Sequence, residues 1–397
     1  MTVYLDHAAT TPILPAALNT LADELAAGGN ASSLHTSGRR ARRVVEESRE
    51  RLAAAVGAAP NEVVFTAGGT EADNLAVKGL YWQRRATAGR PHRILLSAVE
   101  HHAVVDPAVW LAEHEDAELV WLPVDPQGRL DVDALTRELD RDPGSVALVS
   151  VMWANNEVGT IQPLEQVVAA AARHGVPVHT DAVQVVGHLP MDFAASGVDA
   201  LTLSGHKVGG PVGAGALLVR RGLDLVPVLH GGGQERGVRS GTLDTPAVAA
   251  LSVAAEACVA DLEHERARVT VLRNELMAGV RAAVPDAVLR GPEPTGSPDV
   301  GRLPGNAHFT FPGCEGDSLL YLLDARGIEC STGSACQAGV PQPSHVLTAM
   351  GLSDEDSHGA LRFSLGRTST EVDVKALVEE IGPVVERARS AGLAGGG

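Results

Sequence analysis

The chain predicts an α/β fold: a mostly parallel seven-stranded sheet flanked by helices, followed by a smaller α+β domain. Three observations lead there. Short apolar runs alternate with alanine-rich or amphipathic runs from about residue 63 to 219, as in strands joined by covering helices. The apolar runs are nearly continuous, which suits strands buried on both faces. Past a long helical stretch at 246–283, extended runs and helices follow without regular alternation.

Taken in order, residues 3–12 read as an extended segment ending in Ala8-Ala9-Thr10-Thr11-Pro12, and 15–27 as a helix rich in alanine and leucine. Gly28-Gly29-Asn30-Ala31-Ser32-Ser33 is a turn. Residues 38–56 form an amphipathic helix whose interleaved arginines and glutamates read as a solvated face. The seven strand-like runs are 63–66, 93–97, 119–123, 146–152, 176–180, 200–203 and 216–219. Helix-like runs fall between them after 69, at 102–113, 132–139 and 164–173. Residues 231–242 form an irregular loop rich in glycine. Extended runs near 286–290, 306–311 and 328–331, with helices near 317–326 and 371–390, make up the smaller domain, and 391–397 reads as a frayed tail.

Composition narrows the function. A net charge of −17 over 397 residues argues against general binding to a phosphate backbone, so no direct nucleic-acid partner is expected. No run approaches eighteen apolar residues and no secretory signal opens the chain, so neither a membrane span nor export is expected. Four scattered cysteines, Cys258, Cys314, Cys330 and Cys336, do not suggest a disulfide scaffold, and a cytoplasmic setting is expected. No metal site is expected, because Cys330 and Cys336 have poor zinc-ligand spacing and no second pair.

Polar residues cluster where parallel-sheet proteins place ligand groups, at the C-terminal ends of strands. Lys207, in Ser204-Gly205-His206-Lys207, follows one apolar run and is flanked by small residues. A lysine amine there can form a Schiff base with an aldehyde, the way proteins hold pyridoxal phosphate (PLP), with Ser204 and His206 as phosphate donors. Gly69 and Thr70 stand where a strand runs into a helix, leaving backbone N–H groups and a helix dipole for an anion. Asp181 ends another apolar run and can pair with a pyridinium N–H, with Gln184 in reach of the ring's phenolic oxygen. His101 can stack on a planar ring and exchange protons, whereas His102 reads as an ordinary surface histidine. The Asn155-Asn156 pair suggests hydrogen bonding to a ligand or a neighbouring loop. Arg362, between apolar residues, suits two-pronged capture of a carboxylate. Cys336 lies among small, turn-forming residues and reads as a reactive thiol. Cys258 reads as core, and Cys314, in a turn, has a modest claim to exposure and no assigned role.

These motifs, with the opening Tyr4-Leu5-Asp6-His7-Ala8-Ala9-Thr10-Thr11-Pro12 and the closing Arg362-Phe363-Ser364-Leu365-Gly366-Arg367, resemble the PLP-dependent cysteine desulfurases of the NifS/IscS kind, within the class-V branch of the fold-type I aminotransferases. The resemblance implies that the large domain binds PLP and that Lys207 carries it. Asp181 and Gln184 would hold the ring and His101 would stack on it. Gly69, Thr70, Ser204 and His206 would take the phosphate, with Thr242 reaching the phosphate of a partner subunit in a homodimer. Asn156 and Arg362 would hold the carboxylate of L-cysteine, and Cys336 would accept its sulfur. The product would be L-alanine, with sulfur passed to acceptor proteins such as an iron–sulfur scaffold or a tRNA thiolase. The implied plan is a segment 1–14 joining the small domain, a large domain 15–257, and a small domain 258–397 carrying the cysteine loop. A selenocysteine lyase or cystathionine-type lyase on the same fold is the competing enzyme reading.

Overall fold

The computed structural model describes residues 2–86, 91–294, 301–333 and 343–395. Strand β1 (Val3–Tyr4) is followed by helices α1 (Pro15–Ala27) and α2 (Thr36–Val56). Then come β2 (Val63–Thr66), α3 (Gly69–Arg85), β3 (Arg93–Ser97), α4 (His102–His114), β4 (Glu118–Leu122), α5 (Val132–Arg141), β5 (Val146–Ser150), α6 (Leu164–Ala172) and β6 (Val178–Asp181). A short α7 (Phe193–Ser196), β7 (Ala200–Ser204) and β8 (Gly215–Val219) complete the first sheet.

That sheet has seven strands in the order β2-β8-β7-β6-β5-β3-β4. From β7 to β4 every pairing is parallel, and β8 runs antiparallel to both β7 and β2. The pleat explains the continuous apolar runs. Phe65, Leu95, Val149 and Leu201 point into one core, while their neighbours Val64, Ile94, Leu148 and Ala200 point into a second on the opposite face. Helices α3 and α4 cover that second face, and α1, α2 and α8 pack together over the first. Because the strands run parallel, their C-terminal ends share one edge, and the polar residues that follow them are brought together there.

The chain leaves this sheet through α8 (Thr245–Ala260) and α9 (Leu262–Ala283). The single helical stretch expected at 246–283 is in fact two helices bent by 73°. Asp261, with φ −107° and ψ 12°, breaks the helix, and its carboxylate takes an ion pair from Arg367 at 3.0 Å. Aspartate is a poor helix former, and this paired side chain fixes the corner. The remaining elements are β9 (Val288–Arg290), β10 (Asn306–Thr310), α10 (Gly316–Asp324), β11 (Ile328–Glu329), α11 (His345–Ala349), α12 (Asp354–His358), β12 (Ala360–Ser364) and α13 (Glu371–Gly395). Strands β12-β10-β9 form an antiparallel sheet whose core includes Phe309, Phe363, Leu377 and Val280. Helix α13 continues to Gly395, through most of the expected tail, since Ala391, Leu393 and Ala394 favour helix. Among the described residues no single helix is long and apolar enough to cross a membrane.

The N-terminus ties the two sheets together. Strand β1 pairs parallel with β11, and Asp6 bridges Ser364 of β12. The chain then crosses to the large sheet, where Thr11 N–H donates to the His206 carbonyl and Leu14 N–H to that of Gly209. Residues 6–14 are thus a strap laid over the end of β7.

One charged residue on α2 departs from the expected solvated face. Arg49 is buried, and its guanidinium forks onto Glu235 at 2.6 and 2.7 Å, while Glu235 also accepts the Phe65 N–H at 2.9 Å. This pair holds the 231–242 loop, strained at Glu235 (φ 47°) and Arg236 (φ 58°), against the start of the sheet. Glu235→Ala leaves the buried Arg49 guanidinium with only the half-exposed Glu46, 3.1 Å from its Nε, so a stability loss of up to about 3–5 kcal/mol is expected in denaturant unfolding. A loss below about 1 kcal/mol, the range of exposed pairs, would show that the loop is held by other contacts.

Candidate active site

The C-terminal ends of β3, β5, β6 and β7, the N-terminus of α3 and the strap enclose a cleft of about 360 Å³, a volume in the range of small-ligand sites. Lys207 sits in the one-turn helix after β7. Its Nζ donates to the carbonyls of Ala8 at 2.5 Å and Ala9 at 2.6 Å. Burial, aided by the nearby Arg362 guanidinium, pushes the amine down to about 8, against the pull of Asp6 and Asp181. An amine in that range is partly neutral near physiological pH and so available as nucleophile or base.

Asp181 ends β6 and is buried, with Oδ1 accepting the Val183 N–H at 2.8 Å. Burial first, and the Asp73 carboxylate second, push it up to about 7. A cation or N–H donor placed against it would reverse that shift. Gln184 borders the same floor and gives its amide N–H to the Ala8 carbonyl at 3.0 Å, so Gln184 and Lys207 share one acceptor on the strap. His101 caps α4: its Nδ1 accepts the Ala103 N–H at 3.1 Å, so a neutral ring carries its proton on Nε2. Burial holds the His101 ring below the ordinary histidine range.

At the other end of the cleft, Gly68 has φ 151° and Gly69 opens α3. A Cβ on Gly69 would meet Val183 at 3.0 Å and Ser204 at 3.6 Å, so only glycine leaves this corner open. Thr70, Ser204 and His206 border the corner, and His206 Nδ1 lies 3.3 Å from the Thr10 hydroxyl. Arg362 and Asn156 also line the cleft. Arg362, on β12, forms an ion pair with Asp6 at 2.7 Å and donates to the Asn156 carbonyl at 3.1 Å. Asn155 turns away and is structural: its side chain bonds the carbonyl of Val99 and the N–H groups of Glu157 and Val158.

The cleft thus brings together Lys207, Asp181, Gln184, His101, Gly69, Thr70, Ser204, His206, Asn156 and Arg362. Thr242 is exposed and borders no part of the cleft. Cys336 lies outside the described residues, although Ser331 and Gly333 before it line the cleft. His102 is not a plain surface residue: it is half-buried at the cleft, with its ring edge-on to His345 at 5.1 Å. Cys314, given a modest claim to exposure, is buried with its thiol toward the Val385 carbonyl, as the packing of α13 demands. Burial raises the Cys258 and Cys314 thiols, and burial with the Asp6 charge pushes Cys330 up to about 12.

Sequence reasoning missed several groups. In the sequence Asp6, Ala8 and Ala9 are no more than parts of the opening motif, yet the Asp6 carboxylate and the two alanine carbonyls bind Arg362 and Lys207. Asp73 on α3 and Glu100 after β3 also border the floor. Glu157 is buried and accepts the Ser344 hydroxyl at 2.5 Å. The signal available for Glu100 was its place beside His101 at a strand end. For Asp6 and Glu157 no local signal exists, because their partners are 356 and 187 residues away.

The donor set fits pyridoxal phosphate. A depressed lysine amine stands ready for an aldehyde, and a buried carboxylate without a counter-ion awaits a ring N–H. A small-residue corner at a helix N-terminus leaves room for a phosphate.

Residues 3–377 match the model of the aminotransferase class-V family. An IscS-like cysteine desulfurase from Mycobacterium tuberculosis is 56% identical over 394 residues, covering 99% of both chains. The cysteine desulfurase NifS of Azotobacter vinelandii is 40% identical over 395 residues, covering 98% of this chain and 94% of the relative. Among solved structures, a NifS-like protein superposes with a TM-score of 0.88 at 32% identity, covering 98% of this chain and all of the other.

Proposed function

The chain belongs to the class-V aminotransferase family, among its cysteine desulfurases, and we propose that it converts L-cysteine to L-alanine and passes the sulfur through a persulfide on Cys336. The observation that carries this reading is the depressed Lys207 amine at a strand end, in one cleft with the buried Asp181 and the Arg362 fork. The cofactor follows from the family. Bound there, pyridoxal phosphate supplies an aldehyde for an amine and a sink for the electrons of a breaking bond at the substrate's Cα.

The chain's own residues do the rest. Lys207 would hold the cofactor's aldehyde and, once released, would accept the substrate's Cα proton, for which an amine near 8 is well matched. Asp181 would hold the ring nitrogen in its protonated form, Gln184 would donate to the phenolic oxygen and His101 would wall the ring. Gly69, Thr70, Ser204 and His206 would take the phosphate. Arg362, oriented by Asp6 and the Asn156 carbonyl, takes the substrate carboxylate alongside Asn156. The Cys336 thiolate forms an S–S bond to the substrate sulfur as the substrate's C–S bond breaks and its electron pair stays with carbon. Protonation of that carbon gives alanine. The same proposal includes a two-fold dimer in which Thr242 reaches the partner's phosphate, a cytoplasmic setting, and sulfur acceptors of the iron–sulfur scaffold or tRNA thiolase kind.

The test follows from the amine. Only the neutral form of Lys207 attacks an aldehyde. Borohydride-trapped incorporation of pyridoxal phosphate into cofactor-free protein should therefore rise about tenfold per pH unit below about 8 and level off above it. A rate that climbs unchanged through pH 10, or no trapped label, would remove Lys207 from this role.

Arg362→Lys tests the carboxylate site. Lysine cannot reproduce the planar fork, so KM for cysteine should rise by the equivalent of about 2–5 kcal/mol. Cofactor content, read from absorbance, is the control. An unchanged KM would assign Arg362 to its ion pair with Asp6 alone.

A further inference from the structure

The floor of the cleft holds more carboxylates than it has charges to match. Asp181 comes from the end of β6, Asp73 from the first turns of α3, and Glu100 from the loop after β3. All three border the cleft, and their exposures are 6%, 1% and 0%. Glu100 is bound on one side only. Its Oε1 accepts the Met152 N–H at 2.6 Å, while Oε2 is buried and has no partner among the described residues.

No basic side chain among the described residues pairs with the Glu100 carboxyl. His179 is buried with Nδ1 2.9 Å from the Ser150 hydroxyl, and its Nε2 lies 3.2 Å from the Thr202 hydroxyl and 3.5 Å from Asp73 Oδ1. Burial brings that ring down to about 4, so it is neutral. Burial holds the His101 ring below the ordinary histidine range, and its Nδ1 is occupied by the Ala103 N–H at 3.1 Å. His345 turns its Nε2 onto the Glu100 backbone carbonyl at 2.9 Å, not onto the carboxyl group. Lys207 is engaged by the strap carbonyls. Asp73 and Asp181 are themselves acidic and work against a further negative charge. An ionised carboxylate with one oxygen unpaired in such surroundings is the costly arrangement that folded proteins avoid.

We propose that Glu100 is a neutral carboxylic acid in the working protein, a positioning residue whose protonation leaves Asp181 the carboxylate that carries charge at the cleft floor. When two carboxyls share a small buried space, a proton settles on one and the other stays ionised. With the proton on Glu100, Asp181 can face a ring N–H as an anion. With the proton on Asp181, that pairing is lost. The consequence for the cofactor rests on the proposed function. The protonation state of Glu100 does not, and it is measurable in the cofactor-free chain.

The experiment is infrared spectroscopy of cofactor-free protein through a pH titration, paired with denaturant unfolding of wild type and Glu100→Gln. A carboxylic-acid C=O band persisting at neutral pH, shifted in D2O and missing from the Gln variant, is expected. The sign of the stability effect is fixed. Glu100 is held well above the ordinary glutamate range by burial, so its native form keeps a proton that the unfolded chain has lost. Its contribution is complete below the unfolded value and falls as pH rises toward the folded one. Relative to Glu100→Gln, the wild-type unfolding constant should therefore increase about tenfold per pH unit across that window. Parallel pH curves for the two proteins would overturn the proposal. If the variant does not fold, Asp73→Asn and Asp181→Asn decide: a band at neutral pH that both variants keep supports a protonated Glu100, and no band in the wild type, or a band lost with either aspartate, overturns the proposal.

Discussion

Lys207→Ala should lose the borohydride-stable link to pyridoxal phosphate and lower turnover by about a hundred- to ten-thousandfold, the range for removing a positioned base. The two readouts separate two jobs of one amine. The covalent link needs a nucleophile at position 207, and no other lysine borders the cleft among the described residues. On the proposed reading noncovalent retention would depend on Asp181, the Gly69 corner and its neighbours, none of which the substitution touches, so some cofactor should remain bound. Its absorbance should then differ from that of the wild-type protein. The strap gives a further reason for a large effect. Without the amine, the Ala8 and Ala9 carbonyls lose their shared donor, and only Gln184 still holds Ala8. Adding a small free amine should restore part of the rate if loss of the base dominates. No recovery would mean that the strap has shifted. A variant that keeps both the covalent link and full turnover would place the chemistry on another residue.

What was legible in the sequence follows from what a strand end looks like. Lys207, Asp181 and His101 each follow an apolar run, and a parallel sheet lines such ends along one edge, so their convergence could be expected without coordinates. The phosphate corner was legible for a similar reason, since glycine between a strand and a helix leaves a mark in composition. The ion pairs were not. Asp6 meets Arg362 from the far end of the chain, and Arg49 meets Glu235 across 186 residues. No periodicity announces either contact. Arg49 even carries a misleading signal, because it sits among exposed charges on an amphipathic helix and differs only in the direction it faces. The corner at Asp261 was hidden because the runs on both sides are good helix formers, and one paired carboxylate decides the bend. The short helices α7, α11 and α12, of four or five residues, are too brief to show a period.

Electrostatics at the site belong to the same class of hidden facts. A lysine amine near 8 and an aspartate near 7 require knowledge of burial and of each other's neighbours. Their residue types alone suggest ordinary values, roughly 10.4 and 3.9. Burial drives both shifts: it brings the Lys207 amine within reach of neutral pH, where a base works best, and it leaves Asp181 in want of a cationic partner.

Cys336→Ser should reduce sulfide release under a thiol reductant by several orders of magnitude, while addition of cysteine still changes the absorbance of the bound cofactor. The first half rests on the other thiols. Cys258 and Cys314 are buried and raised above the ordinary range, and Cys330 is pushed up to about 12. None of them is a usable thiolate at neutral pH, so no described cysteine can stand in for Cys336. A serine hydroxyl is a far weaker nucleophile toward sulfur and cannot hold a persulfide. The second half rests on division of labour. In the proposed mechanism Lys207, Asp181 and Arg362 would handle the amine, the ring and the carboxylate, and none of those steps needs a thiol. Cysteine should therefore enter the cleft of the variant, react with the cofactor and stall with its C–S bond intact. Transfer onward from the wild-type persulfide would follow ordinary thiolate exchange, with an acceptor thiol attacking the outer sulfur and Cys336 leaving. Sulfide released by Cys336→Ser at the wild-type rate would mean direct elimination from the substrate. The protein would then act as a lyase on the same fold, and Cys336 would have no part in the chemistry.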